Sequence, residues 1–131
     1  NLKVNLLNDN ARCVLNGLTL LSDEQHTDHH TEVRHLSGYT VSEQLYKTAL
    51  AAKSRYVFNG RVEVAKNAAE ARAQQMNRNL LLGEAAEVNT KPELVIEHDN
   101  VKCAHGSAVG VQTRFFICKV VAFLSAKHVK L

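Results

Sequence analysis

Cys103 and His105 are the two residues whose types and spacing suggest chemistry most directly. They stand two residues apart in the polar, alternating run from Asp99 to Gly110. On an extended strand, residues i and i+2 point to the same face, so a thiol and an imidazole would project side by side. This pair suits transient binding of a thiophilic metal, of sulfur or of an iron–sulfur cluster. The spacing also fits a buried cysteine beside an exposed histidine, and both interpretations stay open at this point.

The composition limits the classes of protein to which this chain can belong. The chain has 131 residues, of which 45% are hydrophobic and 22% charged, as expected for one soluble domain. A net charge of only +3, with no Trp and few other aromatic residues, argues against a nucleic-acid surface. The longest apolar stretch, residues 115–126, is interrupted by Lys119 and too short for a membrane span. Three cysteines form no disulfide framework, which predicts a reducing, cytoplasmic location.

Alternation of apolar and polar residues with a period of two dominates the chain and predicts many short strands. The clearest runs are residues 2–6, 14–21, 31–36, 40–48, 56–64, 80–83, 93–97 and 101–103. One segment differs. Val64 to Gln75 is rich in alanine and in residues that favour helix, so its propensity predicts a helix.

Short strands with few hairpin signals fit a sandwich, a barrel or a β-solenoid. Both Asn-Gly pairs, at Gly17 and Gly60, lie inside alternating runs rather than between them. The amides of Asn59, Asn77 and Asn79 lie amid apolar strand residues, which favours side chains that stack between the coils of a solenoid. Ordinary turn asparagines are the alternative explanation.

Six segments of the chain, taken in order, match one known family, and they are residues 28–35, 45–48, 57–60, 79–83, 86–94 and 101–106. Together they resemble the core of the SufB/SufD family of scaffold proteins. The Lys-Cys-x-His-Gly and Lys-Pro-x-Leu segments are closer to the SufD branch than to SufB. The resemblance covers residues 1–112 and implies an all-β, right-handed parallel β-helix, here a partial core domain. Residues 113–131 diverge and are expected to form a short helical or irregular tail.

The resemblance also implies a function. It predicts a non-enzymatic scaffold subunit of the SufBCD complex, with SufB and SufC homologues as partners and a homodimer when isolated. By position, Cys103 and His105 match family residues at the SufB–SufD interface, where nascent cluster or iron is handled. They are therefore the expected metal ligands and cofactor-binding residues, with His105 the stronger of the two. No cluster is expected to stay bound to the isolated chain.

Two departures from the family and two alternatives qualify this expectation. The family's N-terminal region has no counterpart here, which predicts a partial subunit. After Gly110 the chain keeps only Phe115-Phe116 as a remnant of the segment that binds SufC, so SufC docking is in doubt. The alternatives are a carbohydrate-active or adhesin-type β-helix module, and a purely structural homodimer with an inert cysteine and histidine.

The remaining candidates for chemistry have simpler interpretations. On one strand, His29 and His35 would share a face and His30 the other, so the four histidines at 26, 29, 30 and 35 cannot converge on one metal. Cys13 and Cys118 are expected to be small buried hydrophobic residues. Pro92 predicts a rigid corner. Phosphate-binding loops, nucleophile elbows and zinc-protease motifs are missing from the sequence, which carries no recognisable enzyme machinery.

Overall fold

The computed structural model describes residues 1–111, and all regular structure in this range is β-strand. The expected tail at 113–131 lies outside the described residues. Seven of the eight strands are ten residues long. The strands are β1 (Leu2–Leu6), β2 (Arg12–Leu21), β3 (His26–His35), β4 (Val41–Leu50), β5 (Arg55–Val64), β6 (Arg72–Leu81), β7 (Glu87–Ile96) and β8 (Lys102–Val111).

The strands wind into a parallel β-helix of four coils. The odd-numbered strands form sheet A in the order β1-β3-β5-β7, and the even-numbered strands form sheet B in the order β2-β4-β6-β8. Every pairing is parallel, and each coil returns above the previous one. Thr31 pairs with Leu2, 29 residues earlier, and Glu87 pairs with Arg55, 32 residues earlier. The parallel β-helix expected from the sequence is confirmed.

Period-two alternation sends every second side chain into the lumen between the two sheets. Burial alternates strictly along β4 and β5, and the lumen contains two hydrophobic clusters. One cluster is aromatic and the other is built from small residues. The aromatic cluster contains Tyr46, Leu50, Tyr56, Phe58 and Ala86, and the other contains Val62, Val64, Ala68, Ala71 and Ala73.

The alanine-rich segment between Val64 and Gln75 is not a helix, so the propensity-based prediction was wrong. Residues 65–71 form a corner between β5 and β6, and Arg72 to Gln75 already belong to β6. Ala68 and Ala71 are fully buried, because only a small side chain fits where the chain turns back onto the sheets. The corner also bonds the next coil, since the Glu70 amide donates to the Asn100 carbonyl at 2.8 Å. Tertiary stacking therefore overrides local propensity here.

Two of the three asparagines are buried and bond to the coil before, as expected of side chains between coils, but their amides do not stack on amides of another coil. Asn77 and Asn79 lie in the lumen, where Asn79 Nδ2 donates to Asn77 Oδ1 at 2.6 Å. Thr48 Oγ1 in the coil before donates to Asn79 Oδ1 at 2.5 Å. Asn59 instead lies on the outer face of β5 and is only half-buried.

Pro92 does not form a corner, contrary to the sequence prediction. It lies inside β7, in register with Gly60. β7 is the edge strand of sheet A within the described residues, and edge strands tolerate a residue that has no N–H to donate.

Two lumen glycines leave room for large neighbours, which are Tyr46 in the next coil for Gly17 and Gln75 across the same coil for Gly60. A Cβ on Gly17 would lie 2.4 Å from the Tyr46 ring, and a Cβ on Gly60 would lie 2.1 Å from Gln75 Nε2. Both glycines sit inside strands, as the alternation predicts. In the described range, the structure contains no helix that is long and apolar enough to cross a membrane.

Candidate functional site

The candidate site lies on β8, which is the edge strand of sheet B among the described residues. β8 pairs with β6 in parallel, so that Cys103 stacks on Ala73 and His105 stacks on Gln75. Ala73 and Gln75 are both buried on the lumen side of β6. Cys103 and His105 therefore share the lumen-facing side of β8, as their spacing predicts.

Cys103 is the more enclosed of the two residues. Its half-buried side chain packs against the small-residue cluster, together with Leu94 and Val101. Burial raises the pKa of the Cys103 thiol, and a backbone hydrogen bond from Ala73 opposes this shift in part. The thiolate is the metal-binding form of cysteine, so this environment favours the protonated, packing form at neutral pH.

His105 faces the lumen but is exposed, because β8 is the last strand of its sheet in the described chain. In the same coil, Thr90 Oγ1 on β7 donates a hydrogen bond to Ser107 Oγ on β8 at 2.8 Å, and this bond joins the two sheets. Ile96 and Val109 are exposed at this end as well. This end of the lumen therefore presents an imidazole within a mixed polar and apolar surface. We refer to residues 88–96 and 103–109 on the lumen side as the open end.

The layers beneath His105 contain polar groups that the sequence analysis did not single out. Gln75 is 1% exposed and Gln44, its register partner one coil earlier, is 2% exposed. Gln44 Oε1 accepts a hydrogen bond from Thr31 Oγ1 at 3.0 Å. Gln44 Nε2 and both amide atoms of Gln75 have no hydrogen-bond partner in the described structure. Gln44, Gln75 and His105 form one column of stacked positions that are about 30 residues apart in the chain. This spacing is known only from the register of the strands, so the sequence alone did not indicate the column.

The described residues alone do not form a metal site. Within residues 1–111, no group of three or more His, Cys, Asp and Glu side chains is arranged to hold a metal ion. The four histidines of β3 diverge as their spacing predicts. His29 Nδ1 lies 3.0 Å from the Tyr56 hydroxyl in the lumen, whereas His30 pairs with Asp28 on the outer face at 2.8 Å. Cys103 and His105 could thus supply only part of a coordination shell.

His35 is a buried histidine whose two ring nitrogens are hydrogen-bonded to neighbouring hydroxyl groups. It is fully buried, with Nδ1 2.8 Å from Thr40 Oγ1 and Nε2 2.8 Å from Ser42 Oγ. The Thr40 hydroxyl donates to the Ser37 carbonyl, so the Nδ1–H of His35 must donate to Thr40. The Nε2 atom then accepts from Ser42, and the neutral ring is fully satisfied. Burial lowers the pKa of His35 to about 4.

The aromatic side chains are placed for packing rather than for binding sugars. Tyr46, Tyr56 and Phe58 lie in the lumen, and Tyr46 and Phe58 have ring centroids 5.1 Å apart. Tyr39 at a corner is the one large exposed aromatic side chain of the described range. A ladder of exposed rings, which a carbohydrate-active β-helix would need for stacking, is not present in residues 1–111.

Comparison with known families decides the classification. The family model described as "SUF system FeS cluster assembly, SufBD core domain" matches residues 1–112. The chain belongs to the SufBD core-domain family. This match confirms the resemblance seen in the sequence and includes the strand that carries Cys103 and His105.

Curated relatives of the SufBD core-domain family agree with this assignment. The iron–sulfur cluster assembly protein SufD of Escherichia coli (strain K12) is 41% identical over 110 residues, which is 84% of this chain and 26% of that protein. The SufBD family protein slr0076 of Synechocystis is 41% identical over 92 residues, 70% of this chain and 20% of the relative. Protein ABCI7, chloroplastic, of Arabidopsis thaliana is 36% identical over 110 residues, covering 83% and 23%. The chain thus spans about a quarter or less of each of these three relatives.

Proposed function

We propose that this SufBD core-domain chain acts as a non-enzymatic scaffold in iron–sulfur cluster assembly. The family and its SufD relatives support a place in cluster assembly. The observation that carries the site is the position of Cys103 and His105, side by side on the lumen face of edge strand β8. In this proposal, iron or the nascent cluster is cargo that passes through the open end and not a resident cofactor.

The incomplete ligand set supports an interface rather than a self-contained site. Iron–sulfur clusters usually take four protein ligands, and the open end offers two. An exposed edge strand also presents unpaired backbone groups to another chain. A SufB-type partner that pairs with β8 would bring its own ligands next to His105. SufC-type ATPases are the second proposed partner, and the reducing compartment is the bacterial cytoplasm or, as for the Arabidopsis relative, a plastid.

His105 is the stronger proposed ligand of the pair. Its imidazole is exposed and open to an incoming iron ion, and imidazole is a common metal ligand. Cys103 must lose a proton from a partly buried thiol whose pKa is raised. We therefore assign direct iron binding to His105, and assign to Cys103, beside it on β8, mainly a packing role.

Co-expression with SufB and SufC homologues tests the scaffold role. We expect the three proteins to co-purify, and we expect anaerobic addition of iron and sulfide to give the visible absorption of a cluster only in the complex. The isolated chain should stay colourless under the same conditions. Failure of the three proteins to co-purify, or equal cluster formation when this chain is omitted, would reject the proposal.

A further inference from the structure

The amide of Gln75 is a buried polar group without a partner in the described structure, and Gln75 is the register partner of His105 on the strand beneath it. Gln75 is 1% exposed, and neither its Nε2 nor its Oε1 makes a hydrogen bond in the described structure. Leaving a buried amide unpaired is costly, so such groups are normally satisfied by protein or by an internal water. The position of Gln75 in the column therefore calls for an additional hydrogen-bonding group.

The shape of the lumen brings the Gln75 amide to the middle of the layer. A Cβ on Gly60, on the opposite sheet, would lie only 2.1 Å from Gln75 Nε2, so the side chain reaches across to β5. Gly60 leaves the space that the amide occupies. The amide is therefore not folded back against its own strand but lies across the lumen, next to Gly60.

The layer above offers one polar side chain in this column. Above Gly60, β7 contributes Pro92, which has neither a side-chain donor nor a backbone N–H. Above Gln75, β8 contributes His105. The layer below contributes Gln44, whose Oε1 is occupied by Thr31 and whose Nε2 is a second unpartnered donor. Adjacent strands are about 4.8 Å apart, a separation that one bridging water can span.

We propose that Gln75 is a positioning residue for His105, which it holds through one internal water between the two layers. The Gln75 Oε1 accepts a hydrogen from this water, and the water accepts the inward N–H of the imidazole. The ring is then fixed in one tautomer, with the unprotonated nitrogen directed away from the lumen. Metal-binding histidines depend on such a partner for the other nitrogen. The use of that nitrogen for iron rests on the proposed function, whereas the contact between Gln75 and His105 does not.

The test measures the tautomer of His105 without iron. Long-range nitrogen–proton spectra at a pH of about 8.5, where an ordinary imidazole is neutral, report the ratio of the two ring tautomers. The His105 signals are identified by their loss in His105→Gln. We expect one tautomer to dominate in the parent chain. Gln75→Met, which keeps length and removes the amide, should change the ratio about two- to tenfold, as for the loss of one hydrogen bond.

Gln44→Met is the matched control, because it makes the same substitution in the same column one layer further from His105. It should leave the His105 ratio unchanged. An unchanged ratio in folded Gln75→Met, or an equal change in Gln44→Met, would overturn the proposal. Should Gln75→Met fail to fold, the parent chain still decides. A long-lived water must give cross-relaxation peaks to the Gln75 side-chain amide, and their absence would also overturn the proposal.

The result of this tautomer test can be distinguished from the result of the test of the proposed function. A tautomer shift in Gln75→Met together with normal cluster assembly by a His105→Ala complex would keep the positioning role and reject the iron-binding role. An unchanged tautomer together with lost assembly in His105→Ala would do the reverse.

Discussion

Cys103 and His105 project from the same face of β8, yet their surroundings differ sharply. Cys103 packs into the small-residue cluster beside Leu94 and Val101, whereas His105 is exposed above the buried Gln75. These different surroundings fit the packing role and the ligand role that we propose for the two residues. This difference leads to the first prediction below.

The Cys103 thiol should react more slowly than a free thiol near neutral pH. Burial raises its pKa, so less thiolate is present for alkylation. In a chain carrying Cys13→Ser and Cys118→Ser, the rate of iodoacetamide alkylation should rise with a midpoint pH above that of glutathione. Reaction with a midpoint below that of glutathione would show that the site activates the thiol.

The free energy of unfolding should fall below pH 6.5 because of His35. Its pKa is about 4 in the folded chain and near 6.5 when unfolded, so the unfolded state binds the extra proton in this window. The contribution is full above pH 6.5 and is lost as the pH falls towards 4. Between pH 7.5 and 4.5, the parent chain should lose about 2 kcal/mol more than His35→Gln. Urea titrations that give parallel pH profiles for the two chains would contradict this.

Gly60→Ala should destabilise the chain through overpacking. The added Cβ would meet Gln75 Nε2 at 2.1 Å and the Phe58 ring at 2.8 Å, so both side chains would have to shift within the lumen. We expect a loss of about 1–3 kcal/mol in urea-induced unfolding. Gly110→Ala is the control, because its Cβ would make only ordinary contacts, the nearest at 3.8 Å from Leu80. Equal midpoints for the two variants would indicate that the lumen is not tightly packed at Gly60.

The isolated chain should pair with a second copy at the open end. Unpaired edge strands recruit partners, and a two-fold homodimer is the simplest closed product. Val109→Lys, at the open end, should shift sedimentation towards the monomer, because a charge would have to be buried at the seam. Val14→Lys is the control, since Val14 is about as exposed on the outer face of β2. A monomeric parent chain at tens of micromolar, roughly the range where a weak interface forms, would contradict this prediction.

The strands could be predicted from the sequence because alternation is a local signal. Burial alternates strictly along Arg55–Val64, where every buried residue is apolar or glycine. Burial also alternates along Val41–Leu50, but the buried residues there include Ser42, Gln44 and Thr48, so hydrophobicity alone is a weaker signal in that strand.

The alanine-rich corner at 65–71 was predicted wrongly. Its alanines are required by the limited space between stacked corners, and they do not reflect helix propensity. Asn59 was misplaced for a different reason, because the local alternation around it was informative. It shares a strand face with the charged residues Arg61 and Glu63, and this face points away from the lumen.

The candidate site could be predicted only in part for the same physical reason. Cys103 and His105 share a face because they are two residues apart, which is a local relationship. Gln44 and Gln75 lie in one column with His105 through strand pairings about 30 residues apart, and coil lengths vary from 29 to 32 residues. A fixed repeat therefore could not place the column before the register was known.

Cluster assembly by a complex carrying His105→Ala tests the central claim most directly. The variant chain, purified with SufB and SufC homologues, receives iron and sulfide anaerobically, and visible absorption reports the cluster. His26→Ala is the matched control, because His26 is an exposed histidine on the outer face of β3, far along the chain from the open end. We predict an intact complex with strongly reduced assembly for His105→Ala and normal assembly for His26→Ala. Full assembly by the His105→Ala complex would contradict the role assigned to this histidine.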